Sequence, residues 1–380
     1  MTGCPTTGEA PTFAFARVEG GTELPVAAPS AIDVALLDMH HGWPNLGHDA
    51  IVYAVQNIVC DLTPALQKTG LRVRVISYDV RRGHRIPEPP GGRHGVYIGT
   101  GGPGHLDPVL NDGVSPGAQG IREDPAWEPR LFALFDAIRA DPDAALLAVC
   151  HTFGVMCRWL GIADAVLRGE AKGGKSTGIV DNVLTDAALA HPWFGRLAHE
   201  LPEGRRLKIL DNRLYDLIPR PGAPGDRAVA LSCEMSSGRP GDALTAIEVA
   251  RDRDGVMPRI LGVNHHPEIV NRARQLTTLK KRMERGAVTP AWYAERAAAL
   301  TETIGDAHGD RQLHLTASFM FFAPLRYHLY KQIRLRAEAL GFSVDIDEHR
   351  TPLMAEPPGG EPSGASLRPS GLTSTACRSS

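Results

Sequence analysis

The cysteine at position 150 lies between two segments of opposite character. Residues 145–149, ALLAV, form an aliphatic run typical of a buried strand, and residues 151–161, HTFGVMCRWLG, place apolar side chains at helical spacing. A nucleophile at a tight turn from strand to helix projects from the edge of a sheet, where the positive end of the helix dipole favours a thiolate. The motif alone leaves a second interpretation open, because free cysteines are often buried as small apolar residues.

A candidate base and its orienting carboxylate occur together in NHHPE, residues 264–268. A thiol acyl-transfer enzyme needs a base that holds and returns the proton, and a third group that fixes the tautomer of that base. His266 and Glu268 lie two residues apart at the end of a predicted strand, so we expect both side chains on one face and in contact. The same pair is equally compatible with a surface turn.

A glycine-rich segment, GTGGPG at 99–104, supplies a third candidate group. The tetrahedral intermediate of acyl transfer carries negative charge on oxygen, and exposed backbone N–H groups stabilise that charge. Gly101 and Gly102, together with the backbone N–H of His151, are the predicted donors. A lone Gly-Gly-Pro is usually only a turn. All three segments follow predicted strands, however, and the carboxyl ends of parallel strands meet at one edge of a sheet.

The first half of the chain alternates between strand-like and helix-like segments, which predicts an open, mostly parallel α/β sheet flanked by helices. After residue 176 short alternating runs predict hairpins and the last sheet strands, and after Pro267 the pattern is helical. Strands are predicted at 32–38, 71–79, 95–100 and 145–149, and helices at 48–70 and 127–140 and after Cys150.

The chain divides by composition into four parts. Residues 1–30 and 351–380 are rich in Pro, Gly, Thr and Ala without periodicity, and both are predicted to be disordered tails. Residues 31–272 form the α/β domain, and residues 273–350 a C-terminal helical extension. Within the extension, residues 318–340 place aromatic and Arg side chains on one predicted helix. Core packing or a contact between copies is the default interpretation, and docking of an acceptor or partner is the alternative.

The ordered set of GGP at 101–103, the cysteine turn at 150 and HHPE at 265–268 resembles the class I glutamine amidotransferases, which carry a Cys-His-Glu triad. The glutaminase domain of GMP synthase is one example of that family. Residues 191–219 are also similar to the family's segment between nucleophile and histidine, and the resemblance covers about residues 31–270. It implies a flavodoxin-like fold.

The resemblance also implies roles. Cys150 is the nucleophile, His266 the acid and base, Glu268 the orienting carboxylate, and Gly101 and Gly102 are part of the oxyanion hole. The implied substrate is glutamine or another γ-glutamyl small molecule, hydrolysed through a cysteine thioester. The ammonia would pass to an acceptor or to a separate synthetase subunit. No cofactor is implied.

The cysteine turn departs from the family pattern G-x-C-x-G-x-Q. Ala148 and Thr152 replace the two glycines, and Gly154 replaces the glutamine. Residues 215–217 are the nearest match to a YHSL-like loop of the family. These changes leave two alternatives to a glutaminase: a γ-glutamyl peptide hydrolase on the same triad, and a non-catalytic binding or regulatory module on this fold.

Composition argues against several other classes. The 41 basic and 43 acidic residues nearly cancel, so no overall field favours nucleic acid or an anionic membrane surface. Six cysteines in 380 residues are too sparse for a disulfide scaffold, which indicates a reducing compartment. With no secretory signal or membrane span recognised, we expect a cytoplasmic protein.

Two further motifs allow more than one interpretation. GEAKGGKS at 169–176 matches the P-loop pattern, but no helix pattern follows it, so an exposed hairpin loop is the preferred interpretation. The histidines at 40, 41, 48, 265 and 266 invite a metal site. Adjacent histidines in a strand point to opposite faces and no cysteine or carboxylate cluster completes a ligand set, so no metal is expected. The loop at 40–48 follows the first predicted strand and either lines the pocket or is a solvated loop.

Overall fold

The computed structural model describes residues 11–42, 45–169, 172–236, 239–301 and 307–344. In this part of the chain, one sheet of twelve strands carries helices on both faces. The strands are β1 Phe13–Val18, β2 Ala31–Asp38, β3 Arg72–Asp79, β4 His94–Gly99, β5 Ala145–Val149, β6 Ala163–Leu167, β7 Ser176–Leu184, β8 Arg206–Arg213, β9 Tyr215–Pro219, β10 Val229–Ser236, β11 Arg239–Arg251 and β12 Pro258–Val263. The helices are α1 Leu46–Asp61, α2 Thr63–Thr69, α3 Trp127–Ala140, α4 His151–Leu160, α5 Asp186–Ala190, α6 Phe194–Glu200, α7 Arg272–Glu284, α8 Pro290–Thr301, α9 Ala307–Ala317 and α10 Ala323–Ala339.

The half of the sheet that bears the predicted site is parallel. Its strand order is β1-β3-β2-β4-β5-β12, and each neighbouring pair runs in the same direction. Val149 at the end of β5 pairs with Val263 at the end of β12. The loops after β4, β5 and β12 therefore leave the sheet at one edge, and the predicted open α/β fold is confirmed.

The other half of the sheet is antiparallel. Beyond β12 the strand order in the sheet is β11-β10-β7-β8, and each neighbouring pair is antiparallel. β9 pairs with both β11 and β6. These are the hairpins predicted after residue 176. The P-loop-like segment 169–176 joins β6 to β7, two strands of this half, and residues 170–171 lie outside the described part of the chain. No helix follows the segment, so it lacks the context of a phosphate-binding loop.

The predicted helix at 48–70 is two helices. α1 ends at Asp61 and α2 begins at Thr63, with Pro64 in the first turn of α2. A proline has no N–H to donate and its ring clashes with the carbonyl four residues earlier, so the longer helix breaks at Leu62.

The prediction of a disordered tail over residues 1–30 is wrong for residues 13–18. These residues form β1, which pairs in parallel with β3, and Val18 is 1% exposed. The alternating sequence FAFARV makes a suitable edge strand, but the surrounding Pro- and Gly-rich composition obscured this short pattern. Residues 1–10 and 345–380 lie outside the described part, and with them the predicted C-terminal tail at 351–380.

The C-terminal helices belong to the same core as the sheet. A π-helical turn, Ser318–Phe322, joins α9 to α10, and its residues Phe319, Met320 and Phe321 are each 1% exposed. The ring centroids of Phe319 and Trp193 lie 4.8 Å apart, and the indole N–H of Trp193 donates to the carbonyl of Phe319 at 3.0 Å. The interpretation of residues 318–340 as a core-packing segment is confirmed.

We expect Phe319→Ala to lower the free energy of unfolding by about 3–5 kcal/mol, because it leaves a cavity in the core shared by the sheet and the extension. Phe342→Ala is the matched control, since Phe342 is 40% exposed and follows the last helix. Its effect should stay within about 0.5 kcal/mol. Urea unfolding followed by tryptophan fluorescence measures both, and equal effects would contradict a continuous core.

Candidate active site

Cys150 occupies a strained turn at the end of β5. Its φ of 49° and ψ of −101° lie outside the regions that non-glycine residues usually adopt, and α4 begins at the next residue. Two backbone hydrogen bonds fix the turn: Cys150 N–H donates to the carbonyl of Val263 at 2.7 Å, and Gly154 N–H donates to the carbonyl of Cys150 at 3.0 Å. This is the geometry of a nucleophile turn.

His266 and Glu268 are in contact, as predicted. Nδ1 of His266 lies 2.9 Å from Oε1 of Glu268, and both side chains are buried. The expected reason was wrong, because neither residue lies in a strand. β12 ends at Val263, and the carboxylate turns back to the ring in a 3₁₀ turn, Pro267–Ile269. The backbone N–H of His266 donates to the carbonyl of Leu210 at 2.9 Å, which ties this turn to β8.

The charge on His266 is set by its two partners. Burial lowers the pKa of His266, but the charges of Glu268 and Cys150 and their hydrogen bonds to the ring outweigh burial and hold the pKa well above its ordinary value. The imidazole is therefore protonated beside the sulfur. A leaving amine needs a proton at this position.

Glu268 is packed against the first turn of α1. A Cβ added at Gly47 would lie 2.5 Å from Oε1 of Glu268, so a glycine is needed for this approach. Asn45 caps the helix by accepting a hydrogen bond from His48 N–H at 2.8 Å. The carboxylate thus lies beside the N-terminal end of α1. Its Oε2 has no hydrogen-bond partner among the described residues.

The glycine-rich loop after β4 lies directly against the nucleophile and the base. A Cβ added at Gly101 would lie 2.9 Å from Cε1 of His266 and 3.7 Å from Sγ of Cys150. One at Gly102 would lie closer than 3.0 Å to the carbonyl oxygen of Met39. A side chain is therefore excluded at both glycine positions. Gly101 lies against Cys150, Gly102 lines the same cavity, and their service as an oxyanion hole stays a prediction.

The side chain of His151 also faces the site, although only its backbone N–H was predicted to matter. Burial holds the pKa of His151 well below its ordinary value, and a hydrogen bond to the backbone of Gly102 opposes this only in part. The ring is therefore neutral. Its Nε2 lines the cavity beside Cys150 without a hydrogen-bond partner among the described residues.

Arg81 is a site residue that the sequence patterns did not reveal. The side chain is fully buried, and its Nη1 donates to the carbonyls of Met39 at 2.9 Å and Pro103 at 2.6 Å, while Nε donates to Glu123 at 2.8 Å. Arg81 thereby ties the loop after β2 to the glycine-rich loop. Its sequence neighbourhood, DVRRGH, contains no periodic or motif signal that distinguishes a buried arginine from a solvated one.

The replacement of glycine by Thr152 is compensated on the neighbouring strand. The hydroxyl of Thr152 donates to the carbonyl of Thr100 at 2.7 Å, and a Cβ added at Gly99 would lie closer than 3.0 Å to the Thr152 side chain. Gly99 thus provides the space that Thr152 occupies.

Gly154, which stands where the resembled pattern has glutamine, is packed against Leu106. A Cβ at Gly154 would lie closer than 3.0 Å to the methyl groups of Leu106, which is 6% exposed. An apolar side chain therefore fills the space that a glutamine side chain would need on this face of α4.

A cavity of about 750 Å³ opens on Cys150 and His266. His40 and Asn45 line it, which confirms that the loop at 40–48 lines the pocket. α8 also lines the cavity, although the sequence patterns did not place this helix near the site. Four cavity-lining side chains besides His151 have buried polar atoms without a hydrogen-bond partner among the described residues: Nη1 of Arg213, Nδ2 of Asn264, the hydroxyl of Tyr215 and Nε1 of Trp292.

The described residues contain no group of three or more His, Cys, Asp or Glu side chains placed to hold a metal ion. Within the same residues, every helix is too short or too polar to cross a bilayer.

Comparison with known proteins gives structural neighbours at low identity. No protein-family model and no curated protein matches the sequence. Among solved structures, SMU.1228c is 17% identical with a TM-score of 0.41, covering 79% of this chain and 99% of its own. The glutaminase domain of Trypanosoma brucei CTPS with bound acivicin is 11% identical with a TM-score of 0.38, covering 63% and 86%. A candidate GMP synthase subunit from Thermoplasma acidophilum is 12% identical with a TM-score of 0.34, covering 62% and 84%.

We expect Gly99→Ala to destabilise the protein by about 1–3 kcal/mol, because the added methyl group overlaps the side chain of Thr152. The double variant Gly99→Ala/Thr152→Gly should recover most of this loss, apart from the cost of a glycine in α4. Chemical denaturation of the four proteins in the cycle measures the coupling. Additive effects would show that the two residues do not share this space.

We expect Glu268→Gln to lower the pKa of His266, because it removes the adjacent negative charge while keeping a hydrogen-bond acceptor. NMR titration of the histidine Cε1–H signals measures the shift. A raised pKa stabilises the folded state most below the ordinary value of 6.5 and less as the pH rises through the raised value. The difference in free energy of unfolding between wild type and variant should therefore decrease as the pH rises through the raised pKa of His266. A difference that increases with pH would contradict a raised pKa.

Proposed function

We propose that this chain is a glutamine amidotransferase-like enzyme that hydrolyses a γ-glutamyl amide through a thioester on Cys150. One observation carries the proposal: a strained cysteine at the start of α4 shares a hydrogen bond with His266, which is in turn held by buried Glu268. The family motif at these positions supports the same roles.

The proposed reaction has two stages. Sγ of Cys150 attacks the amide carbon, the backbone N–H groups near Gly101 and Gly102 stabilise the oxyanion, and His266 protonates the departing nitrogen. Water then attacks the thioester, His266 takes up its proton, and glutamate leaves. With glutamine as substrate the product is ammonia, which passes to an acceptor or to a separate synthetase. The proposed compartment is the cytoplasm.

A larger γ-glutamyl compound is the second candidate substrate. The cavity of about 750 Å³ falls within the range of roughly 300–1,000 Å³ that holds drug-sized ligands, which are larger than one amino acid. Leu106 also occupies the space of the family's glutamine side chain beside the nucleophile. Both features favour a substrate extended beyond a primary amide.

We expect the wild type to release glutamate from glutamine or from a γ-glutamyl peptide, and Cys150→Ala to lower the rate at least about a thousandfold. Cys233→Ala is the matched control, because Cys233 is a free, half-buried cysteine on β10 outside the cavity lining. Coupled detection of glutamate, with ammonia measured in parallel, gives the rates. A wild type inactive on both substrates, and no faster with a candidate synthetase, would favour the non-catalytic module.

A further inference from the structure

The C-terminal extension lines the cavity that also contains Cys150. α8 contributes Trp292, Glu295 and Arg296 to the lining, and Lys175, immediately before β7, lines the cavity beside Glu295. The Cys-His-Glu chemistry does not require any of these residues. They are available to contact the part of a substrate that is not attacked by Cys150.

This part of the lining has an excess of positive charge. Nζ of Lys175 lies 3.1 Å from Oε1 of Glu295, and Nη1 of Arg296 lies 3.0 Å from Oε2 of the same carboxylate. Two cations thus share one anion. Burial lowers the pKa of Arg296, and Glu295 opposes the shift. Lys175 and Arg296 together carry one positive charge more than the carboxylate they share, so an anionic group of a ligand would balance the cluster.

Arg296 is held in place by Trp292, one helical turn away. The guanidinium carbon lies 3.9 Å from the centroid of the indole ring, a cation–π contact. The indole Nε1 is buried and has no hydrogen-bond partner in the described part of the chain. An oriented guanidinium, an ammonium and a free N–H donor together match the acceptor oxygens of a carboxylate.

A second donor position lies on β8. Arg213 lines the cavity, and three carboxylates surround its guanidinium. Nη2 donates to Glu234 at 2.7 Å, and Nε lies 3.4 Å from an oxygen of Asp211 and of Asp216. Its buried Nη1 lacks a partner among the described residues, so β8 offers a donor for an acceptor group rather than a second uncompensated charge. Glutamine carries one carboxylate, whereas a γ-glutamyl amino acid carries one on each side of its amide bond.

We propose that Lys175, Trp292 and Arg296 form a subsite for the carboxylate of the leaving group, so that γ-glutamyl amino acids are preferred over glutamine. The inference rests on the proposed function, because a leaving-group subsite requires attack by Cys150 on the γ-carbonyl carbon.

The chemistry balances without a further reactant. The S–C bond to Cys150 forms as the C–N bond breaks, and the amino acid departs with the proton of His266. Water then adds to the thioester, the S–C bond breaks, and glutamate is released while the proton of water returns to the His266 and Cys150 pair. In transfer to an acceptor, the same subsite would hold the carboxylate of the incoming amine, by microscopic reversibility.

γ-Glutamylglycine and γ-glutamylglycinamide test the subsite, because they differ only in the terminal carboxylate. We expect the wild-type kcat/KM for glutamate release to be higher for γ-glutamylglycine by about tenfold or more, the effect of one hydrogen bond to a charged group. Lys175→Met and Arg296→Met should each bring this ratio close to one, chiefly by raising KM for the acid.

The controls separate charge from folding. Lys280→Met removes an exposed lysine of α7 outside the cavity lining and should leave the ratio unchanged. Arg296 also packs on Trp292, so Lys175→Met is the variant that removes a charge without touching that contact. Thermal unfolding of each variant is compared with that of the wild type.

The outcomes distinguish the two proposals. Equal rates on the two dipeptides, or a preference that survives both variants, would overturn the subsite. Hydrolysis of glutamine without cleavage of either dipeptide would also overturn it and leave the proposed function standing. Absence of glutamate release from all three compounds would instead overturn the proposed function.

Discussion

The hydrogen bond between His266 and Glu268 is the interaction on which the site depends. A buried carboxylate is costly unless it is paired, and Glu268 is paired through one oxygen to an imidazole whose other partner is Cys150. Gly47 lets α1 approach the same carboxylate. The Glu268 side chain therefore contacts both α1 and His266, the residue that bonds to Cys150. A shift of α1 or of the turn after β12 would therefore move the base.

The turn at Cys150 is supported by close packing around the helix that follows it. The backbone at Cys150 is strained, and α4 begins at the next residue. Gly99 on β4 leaves room for Thr152, and Gly154 leaves room for Leu106 from the loop after β4. The first turns of α4 are therefore packed against β4 and its loop.

Local patterns in the sequence were sufficient to predict the parallel strands and the meeting of three strand ends. Cys150 follows β5 directly and His266 comes three residues after β12, and parallel strands place such strand ends together. The reason given for the His266 contact was wrong, since a turn after β12 rather than an extended strand brings Glu268 back. β1 was missed because its six residues lie in a Pro- and Gly-rich context.

The remaining parts of the site depend on contacts between distant segments. Burial of Arg81 is decided by loops about 20 and 40 residues away. The contribution of α8 to the cavity lining depends on how the extension packs on the sheet. An amphipathic pattern predicts that a helix is packed on one side, but not which surface it covers.

The position of α8 in the chain has a consequence for biosynthesis. During synthesis, Cys150, His266 and Glu268 leave the ribosome before α8, which lines the same cavity. The π-helical turn Ser318–Phe322, which packs in the core of the sheet, follows later still. A nascent chain that ends before α8 therefore contains these three residues but lacks part of the cavity lining, and the C-terminal helices do not yet cover the sheet. The cavity at Cys150 is therefore complete only after α8 has packed on the sheet, and this packing cannot precede synthesis of the extension.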